Sequence, residues 1–254
     1  MYWTVTDHMT LIGRSVRHSA RSIDALLTAV MLPVMILLLF VYVFGGAIQT
    51  GGDYVDYVVP GIILLCAGFG SATTAVAVCQ DMTTGVIDRF RSLPIAGSAV
   101  LTGHVVASVL RNLASTAIVV GVALIAGFSP EAGPLGWLGA IGVLLAFMVA
   151  ISWLGAAFGL VASNPEAAGA FSFIVMFLPY VSSAFVPLET MPAGLQAIAE
   201  HQPITPITET VRALLAGGSP GGDALVALTW CAGAIAVGAV AAALLFRSRS
   251  EARP

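Results

Sequence analysis

Residues 80–97 read QDMTTGVIDRFRSLPIAG, a polar stretch between two apolar runs that are each long enough to cross a bilayer. In a helix, Asp88 and Arg91 would point away from one apolar face. That face is made by Val86, Phe90 and Leu93. Pro94 ends such a helix, since its ring cannot continue the hydrogen-bond pattern and restricts the residue before it. The stretch therefore predicts a short amphipathic helix on the membrane surface, where it could dock a partner.

The composition places the chain in a membrane. Of 254 residues, 58% are hydrophobic and 9% are charged, and the mean hydropathy is +0.98. A soluble domain carries about 25% charged residues, so the sequence predicts an all-α integral membrane protein. The formal net charge of -3 gives no reason to expect a nucleic-acid partner.

All ten basic residues are arginines, and the sequence contains no lysine. A phosphate-binding loop of the G-x-x-x-x-G-K-[ST] type and a Schiff-base lysine are therefore both excluded. If ATP drives this protein, another chain must bind the nucleotide and its magnesium ion. The three cysteines fall in or beside apolar runs and predict neither a disulfide framework nor a metal site.

Six apolar runs approach the roughly 20 residues that a membrane-spanning helix needs. They are residues 25–48, 57–79, 107–128, 135–161, 167–186 and 224–246. Before them, residues 1–24 predict a basic amphipathic helix in the membrane interface, or alternatively a helix packed on a neighbouring element. The pattern favours one transmembrane domain over the whole chain, 1–254, with no separate soluble domain.

Arginine placement predicts the orientation. With the N-terminus inside, one group of eight arginines lies in the cytoplasm: Arg14, Arg17, Arg21, Arg89, Arg91, Arg247, Arg249 and Arg253. The opposite orientation would place those charges outside, against the positive-inside rule. We therefore expect both termini in the cytoplasm, in the plasma membrane of a bacterium.

Residues 187–222 are too polar to span the membrane and too apolar for a free loop. Prolines divide the segment, and two short helices are predicted at 193–200 and 207–216. Irregular backbone at membrane depth is tolerated only against protein or a water-filled cavity. The segment is interpreted as a re-entrant or interfacial helical hairpin on the outer side.

Together these features resemble the permease subunit of ABC-2 type exporters, a family that includes the daunorubicin-resistance permeases of actinobacteria. The resemblance covers essentially the whole chain. Its most specific parts are GVIDRFRSLPIAG at 85–97 and PLETMPAGLQAIAEHQPITPITETVRALLAGG at 187–218. It implies a nucleotide-binding ATPase subunit as partner and a second permease, either a copy or a homologue, across a central path.

By this resemblance, the polar stretch is the coupling helix that rests on the ATPase subunit. Its expected contacts are Gly85, Val86, Asp88, Arg89, Phe90, Arg91, Leu93 and Pro94. Many relatives carry Glu-Arg where this chain has Asp88-Arg89, so the charge order is kept with a shorter acid. Arg89 and Arg91 could pair bidentately with partner carboxylates; the alternative is that they only satisfy the positive-inside rule.

The resemblance also implies that the second and fifth spans line the substrate route. The residues expected along it are Cys66, Phe69, Thr73, Phe173, Met176, Phe177 and Tyr180. A soft aromatic lining suits an apolar or amphipathic cargo, whereas plain helix packing explains the same residues equally well.

Three further groups stand out. Pro203, Glu209 and Arg212 are candidates for an outer gate, since Glu209 and Arg212 are spaced to pair on one helix; the alternative is an ordinary surface pair. Arg111 lies within the third span and either extends back to the inner interface or takes part in the path. The four histidines are scattered and predict no site.

The function expected is export of a hydrophobic or amphipathic drug, antibiotic or lipid, driven by ATP that the partner hydrolyses. The chain itself is expected to be non-catalytic and to bind no cofactor. The alternative is an ion-coupled secondary transporter or channel, which would need ionisable residues inside the membrane. An intramembrane enzyme would need paired catalytic groups, and the sequence offers no such arrangement.

Overall fold

The computed structural model describes residues 23–48, 52–84 and 97–251, and within these ranges it is helical, with no strand. The predicted interfacial helix up to residue 22 and the whole predicted coupling helix, 85–94, lie outside the described residues. The all-α class predicted from composition is confirmed for the part of the chain that the structure describes.

Nine α-helices follow one another along the described chain. They are α1 (Ile23–Leu38), α2 (Tyr54–Ala72), α3 (Thr74–Thr83), α4 (Gly97–Ile125), α5 (Pro134–Val161), α6 (Pro165–Phe177), α7 (Ala193–His201), α8 (Ile204–Leu215) and α9 (Asp223–Glu251). A π-helical turn, Leu39–Phe44, extends α1, and two 3-10 turns, Leu178–Val181 and Leu188–Thr190, lie between α6 and α7.

Four described helical segments are long and apolar enough to cross a membrane: Tyr54–Thr83, Val100–Ile125, Pro134–Val161 and Asp223–Ser248. Two shorter apolar helices, Val30–Phe44 and Pro165–Val181, fall where the first and fifth spans were predicted. The chain is thus a multi-pass membrane protein by helix length and composition.

The fifth span differs from its prediction over 167–186. The α-helix ends at Phe177, a 3-10 turn continues to Val181, and Ser182 is extended. Pro179 lies inside that turn and has no backbone N–H to donate, which removes a helical hydrogen bond. Ser182 Oγ donates to the Pro179 carbonyl oxygen at 2.6 Å and so stabilises the new chain direction.

The second span, predicted over 57–79, lies within one segment long enough to cross a membrane, Tyr54–Thr83, which is interrupted at a single residue. It is broken at Thr73, between α2 and α3. Thr73 Oγ1 donates to the Gly70 carbonyl oxygen at 2.6 Å, and such side-chain bonds to the backbone compete with the helical pattern. The interruption at Thr73, which we call the bend, therefore has a local cause in the threonine hydroxyl.

Helix α2 lies at the centre of the bundle and α9 at its edge. Most side chains of α2 are buried, including Val58, Ile62 and Leu64, which are 0% exposed. By contrast, α9 leaves many large apolar side chains uncovered, among them Leu225 and Val237. A membrane places no penalty on the exposed apolar face of α9, since lipid tails are as apolar as leucine.

Close helix contacts depend on glycine at two places. A Cβ on Gly61 of α2 would lie 2.6 Å from the Ala184 Cβ, in the segment after α6. A Cβ on Gly159 of α5 would clash with the backbone carbonyl of Ala75 in α3. Small residues allow the backbones of membrane helices to approach in this way, and these contacts fix α2 and α3 against their neighbours.

The outer segment forms two helices, α7 and α8, close to the predicted ranges 193–200 and 207–216. Helix α8 buries one apolar face against the bundle through Ile204, Ile207, Val211 and Leu215, each at most 2% exposed. Helix α7 is more open, with Leu195 and Ile198 at 46% and 60% exposure. The hairpin is therefore anchored through α8.

Candidate functional sites

Arg212 on α8 ties the outer hairpin to two distant parts of the chain. Its Nε donates to the Tyr57 carbonyl oxygen at 3.1 Å, and its Nη2 donates to the Ser183 carbonyl oxygen at 2.8 Å. Its Nη1 is paired with Glu209, one turn earlier. The guanidinium also lies 3.9 Å from the centroid of the Tyr57 ring. We call Tyr57, Ser183, Glu209 and Arg212 the outer arginine cluster.

Two tyrosines at the start of α2 reinforce this cluster. Tyr57 Oη donates to the Ser183 carbonyl oxygen at 2.9 Å, and Tyr54 Oη donates to the Phe185 carbonyl oxygen at 2.9 Å. The segment after α6 therefore has its carbonyl groups satisfied by side chains from α2 and α8. Buried backbone groups need such partners, so this irregular segment depends on them.

Pro203, the third predicted gate residue, lies at the N-terminal boundary of α8 and is partly buried. The neighbouring Gln202 reaches across to the end of α6, where its Nε2 donates to the Val181 carbonyl oxygen at 2.9 Å. The Glu209–Arg212 spacing does give an ion pair, and the additional partners of Arg212 make it more than a surface pair. Its part in gating is taken up as a proposal.

An outer cavity of about 250 Å³ lies beside the cluster. It is lined by residues of α2, the α4–α5 loop and α8, including Asp56, Glu131, Arg212 and Leu215. Asp56 holds the loop, since its Oδ1 accepts from the Ser129 backbone N–H at 2.9 Å and its Oδ2 accepts from Ser129 Oγ at 3.3 Å. We call this space the outer cavity.

A second space, about 270 Å³, opens on the side of the bundle and is almost entirely apolar. Four helices line it, α2, α4, α5 and α8, with these residues: Ile63, Leu113, Thr116, Ala117, Val120, Trp137, Ala140, Ile141, Leu144, Met148 and Leu215. We call it the lateral groove. None of the seven residues predicted for the substrate route is among its lining residues.

Those seven predicted residues occupy three different environments. Cys66 is 1% exposed and faces Thr116 inside the bundle, whereas Phe173, Phe177 and Tyr180 are 64%, 60% and 38% exposed on α6 and its extension. Thr73 sits at the bend between α2 and α3. Phe69 and Met176 are half-buried. The structure of the single chain does not bring the seven together into one lining.

Arg111 reaches the bend in the second span. Its Nη2 donates to Thr73 Oγ1 at 2.7 Å and lies 3.4 Å from the Gly70 carbonyl oxygen. Because Thr73 is ten residues before the end of α3, that point lies about 15 Å along the helix from Thr83. Arg111 therefore contacts the second span where α2 meets α3.

A network of buried polar side chains lies next to Arg111, and the sequence analysis missed it. Asn112 Nδ2 donates to Ser71 Oγ at 2.9 Å and to Ser108 Oγ at 3.3 Å. Ser152 Oγ lies 3.2 Å from Ser108 Oγ and brings α5 into the network. Polar residues hold membrane helices together in this way, and the signal available was an asparagine beside an arginine within an apolar run.

The end of the bundle next to residues 85–94 carries a second feature that the sequence analysis missed. His104 Nε2 lies 3.1 Å from Asp81 Oδ2, and both side chains are largely buried. Asp81 is on α3 and His104 on α4, so the pair joins the two helices that flank the polar stretch 85–94. His104 was predicted to build no site, and this pairing shows a structural role for it.

Sequence comparison places the chain in a family. The model of the ABC-2 type transporter family matches residues 6–216. The chain belongs to the ABC-2 type transporter family. A daunorubicin resistance ABC transporter permease protein of Streptomyces coeruleorubidus is 35% identical over 227 residues, covering 89% of this chain and 80% of that protein.

A probable doxorubicin resistance ABC transporter permease protein of Mycobacterium tuberculosis is also similar, and the match is the same in two strains. It is 26% identical over 254 residues, covering 97% of this chain and 90% of that protein. The resemblance inferred from the polar stretch and the outer segment is confirmed. As a member of the ABC-2 family with these relatives, the chain is the permease component of an ABC transporter.

Proposed function

We propose that this ABC-2 permease exports a hydrophobic or amphipathic drug, antibiotic or lipid, using ATP hydrolysed by a separate nucleotide-binding subunit. The relatives' names, which concern daunorubicin and doxorubicin resistance, support a cargo of this kind. The absence of lysine from the chain supports a partner that holds ATP and magnesium, because a phosphate-binding loop needs that residue.

The observation that carries the proposal is the course of α2 and α3. Their segment, Tyr54–Thr83, carries Tyr57 of the outer arginine cluster near its start, contacts Arg111 at Thr73 and ends two residues before residue 85, where the predicted coupling helix begins. A displacement of the polar stretch would therefore act on α3 first, then on the bend at Thr73, and through α2 on Tyr57. Tyr57 in turn contacts Arg212 and the segment after α6.

In this account the polar stretch is the coupling helix. Arg89 and Arg91 pair with carboxylates of the ATPase subunit, Phe90 and Leu93 pack against it, and Gly85 and Pro94 bound the helix. The His104–Asp81 pair supports the account, since it joins the two helices that carry the stretch and so lets them move together. Asp88, with Val86 on the apolar face, completes the docking surface.

The outer arginine cluster is the proposed outer gate. Opening it means separating Arg212 from the Tyr57 and Ser183 carbonyl groups, which would release α8 and, with it, Pro203 and the hairpin. Cargo then leaves beside α2 and α6. The exposed aromatic side chains of α6, Phe173, Phe177 and Tyr180, are available to a second permease or to cargo between two permeases.

The proposed topology has six spans, with both termini in the cytoplasm of a bacterium. The first and fifth crossings are the shorter helices Val30–Phe44 and Pro165–Val181. The first is extended by residues up to Ile48, and the fifth is completed by the irregular segment 182–186. Irregular backbone is tolerated there because Tyr54, Tyr57 and Arg212 satisfy its carbonyl groups.

Co-purification tests the proposed function. We expect the tagged permease to bring down a P-loop ATPase in equal amount from its native host, and Arg89→Glu with Arg91→Glu to abolish that recovery. A matched control is Arg247→Glu with Arg249→Glu, which changes cytoplasmic charge equally at the end of α9. A permease that purifies without any ATPase, and still transports, would favour an ion-coupled transporter or channel instead.

A further inference from the structure

We infer that the lateral groove and the outer cavity together bind one phospholipid of the outer leaflet, with its acyl chain in the groove and an ammonium headgroup in the cavity. This inference rests on the orientation proposed above. It concerns a resident lipid, in a place separate from the route of the cargo along α2 and α6.

The groove has the depth of one leaflet. Along α5 its lining runs from Trp137, near the outer end of the helix, to Met148 at its middle. Eleven residues of helix correspond to about 16 Å. Half of a hydrocarbon core that is about 30 Å thick is about 15 Å, so the groove ends where an outer-leaflet acyl chain ends.

The groove is apolar throughout and open towards the bilayer. Its walls are buried side chains such as Ala140, Leu144 and Met148, which are at most 7% exposed. Its lips are Ala117 on α4 and Ile141 on α5, both exposed. The only hydroxyl in the lining, that of Thr116, lies 4.0 Å from Cys66 Sγ and is buried with it. An apolar chain needs no polar partner in such a space, and it fills a void that would otherwise lack contacts.

The outer cavity continues the groove at the headgroup level. Leu215 lines both spaces, so the two adjoin at this side chain. The cavity contains two carboxylates, Asp56 and Glu131, and one guanidinium, that of Arg212, whose charge is already paired with Glu209. The local charge is therefore acidic, which favours an ammonium group and disfavours a purely anionic headgroup.

Trp137 marks the boundary between the two environments. It lies one turn into α5, and tryptophan prefers the depth where headgroups meet acyl chains. An indole at this depth can contact the upper part of an acyl chain while leaving the headgroup to the cavity. The acidic cavity, Trp137 and the apolar groove thus follow one another in the same order as the headgroup, the interface and the acyl chain of a phospholipid in the outer leaflet.

Native mass spectrometry of the purified permease with its partner subunit tests the inference. The complex would be incubated with defined phosphatidylethanolamine or phosphatidylglycerol of equal chain length. We expect one phosphatidylethanolamine to be retained per permease, with phosphatidylglycerol retained about tenfold less. In Ala117→Phe the added ring fills the groove, and retention should fall about tenfold.

Ala114→Phe is the matched control, because Ala114 is exposed on the same helix but does not line the groove. Glu131→Gln should lower the preference for phosphatidylethanolamine, whereas Glu189→Gln, on an exposed residue outside the cavity, should not. Equal retention in Ala117→Phe and Ala114→Phe would overturn the inference, as would equal retention of the two lipids. Displacement of the lipid by transported cargo at matching concentrations would assign the groove to cargo instead.

The same experiments can reject the proposed function without rejecting the lipid site. Retention of the lipid does not require ATP hydrolysis, and Arg89→Glu with Arg91→Glu should leave it unchanged while removing the ATPase. An unsubstituted permease that retains the lipid, recovers no ATPase from its native host and still transports would contradict the proposed function and leave the lipid site standing.

Discussion

Arg212 donates a hydrogen bond to the backbone carbonyl of Tyr57, a residue 155 positions earlier, and its guanidinium lies 3.9 Å from the centroid of the same tyrosine's ring. One side chain thus holds the outer hairpin to the outer end of the central helix. The arrangement needs both the planar guanidinium and its several N–H groups, because three separate acceptors are served at once.

We therefore expect Arg212→Lys to lower the stability and weaken the outer gate almost as much as Arg212→Met. Lysine keeps the charge but cannot reach Glu209 and two backbone carbonyl groups while stacking on a ring. We expect a loss of about 1–3 kcal/mol in the free energy of unfolding, because the Tyr57 and Ser183 carbonyl groups each lose one donor. Thermal unfolding in detergent measures the stability, and dye leakage from proteoliposomes shows whether the outer gate still closes. Glu209→Gln, which removes the charge of one partner but keeps an oxygen that can accept from Arg212, is the milder control. A fully active, tight Arg212→Lys variant would contradict the gate.

The bend at Thr73 should be sensitive to loss of the hydroxyl. Thr73→Val removes both the bond to the Gly70 carbonyl oxygen and the acceptor for Arg111. Thr83→Val is a matched control, since the Thr83 hydroxyl also bonds to the backbone of its own helix, at the Cys79 carbonyl oxygen.

We expect Thr73→Val to keep the ATPase bound but to lower transport per ATP hydrolysed, because the bend then transmits motion poorly. Thr83→Val should leave that ratio near its original value. The measurement is cargo uptake and phosphate release in the same proteoliposomes, and equal ratios in the two variants would show that the bend has no special part in coupling.

Gly70→Ala should destabilise the bundle through one identified neighbour. A Cβ at this position would clash with Asn112 Oδ1, and overpacking of this kind costs about 1–3 kcal/mol. Gly142→Ala meets no heavy atom within 4 Å and serves as the control.

Shortening Asn112 should relieve the clash with a Cβ at position 70. In an Asn112→Ala background, Gly70→Ala should cost less than half as much, which a double-mutant cycle of thermal stability would measure. Additive costs would indicate that the two residues are not in contact.

The topology can be read by labelling single cysteines in a variant that lacks Cys66, Cys79 and Cys231. A membrane-impermeant maleimide applied to intact spheroplasts should label Glu189→Cys and Ser219→Cys, which lie on the proposed outer side. It should label Thr84→Cys only after the membrane is opened. Labelling of Thr84→Cys in intact spheroplasts would contradict the orientation that the arginines predict.

The helical class and the outer hairpin could be predicted from sequence because they depend on local patterns. Apolar run length and proline placement gave the two hairpin helices to within about three residues. The bend at Thr73 was not predicted, since a threonine in an apolar run does not reveal which carbonyl its hydroxyl will contact. The same holds for Pro179, where the helix changes to a 3-10 turn.

Long-range pairs were beyond the reach of sequence patterns. His104 meets Asp81, and Arg212 meets Tyr57, only because helices far apart in sequence pack side by side.

The predicted route residues illustrate a different difficulty. In a membrane protein an apolar face can contact lipid, another helix or cargo, and periodicity cannot distinguish the three. Cys66 and Phe173 were grouped by the resemblance and lie in unlike environments.

The central claim is that ATP acting at the polar stretch 85–94 moves the outer hairpin through α2 and α3. Spin labels on Ile198 of α7 and Leu135 of α5, both exposed, would report that motion by double electron–electron resonance in the complex with its ATPase. We predict a shift in the distance distribution between the nucleotide-free and the ATP–vanadate state, and its loss in Arg89→Glu with Arg91→Glu. An unchanged distribution in a complex that hydrolyses ATP and transports cargo would contradict the account.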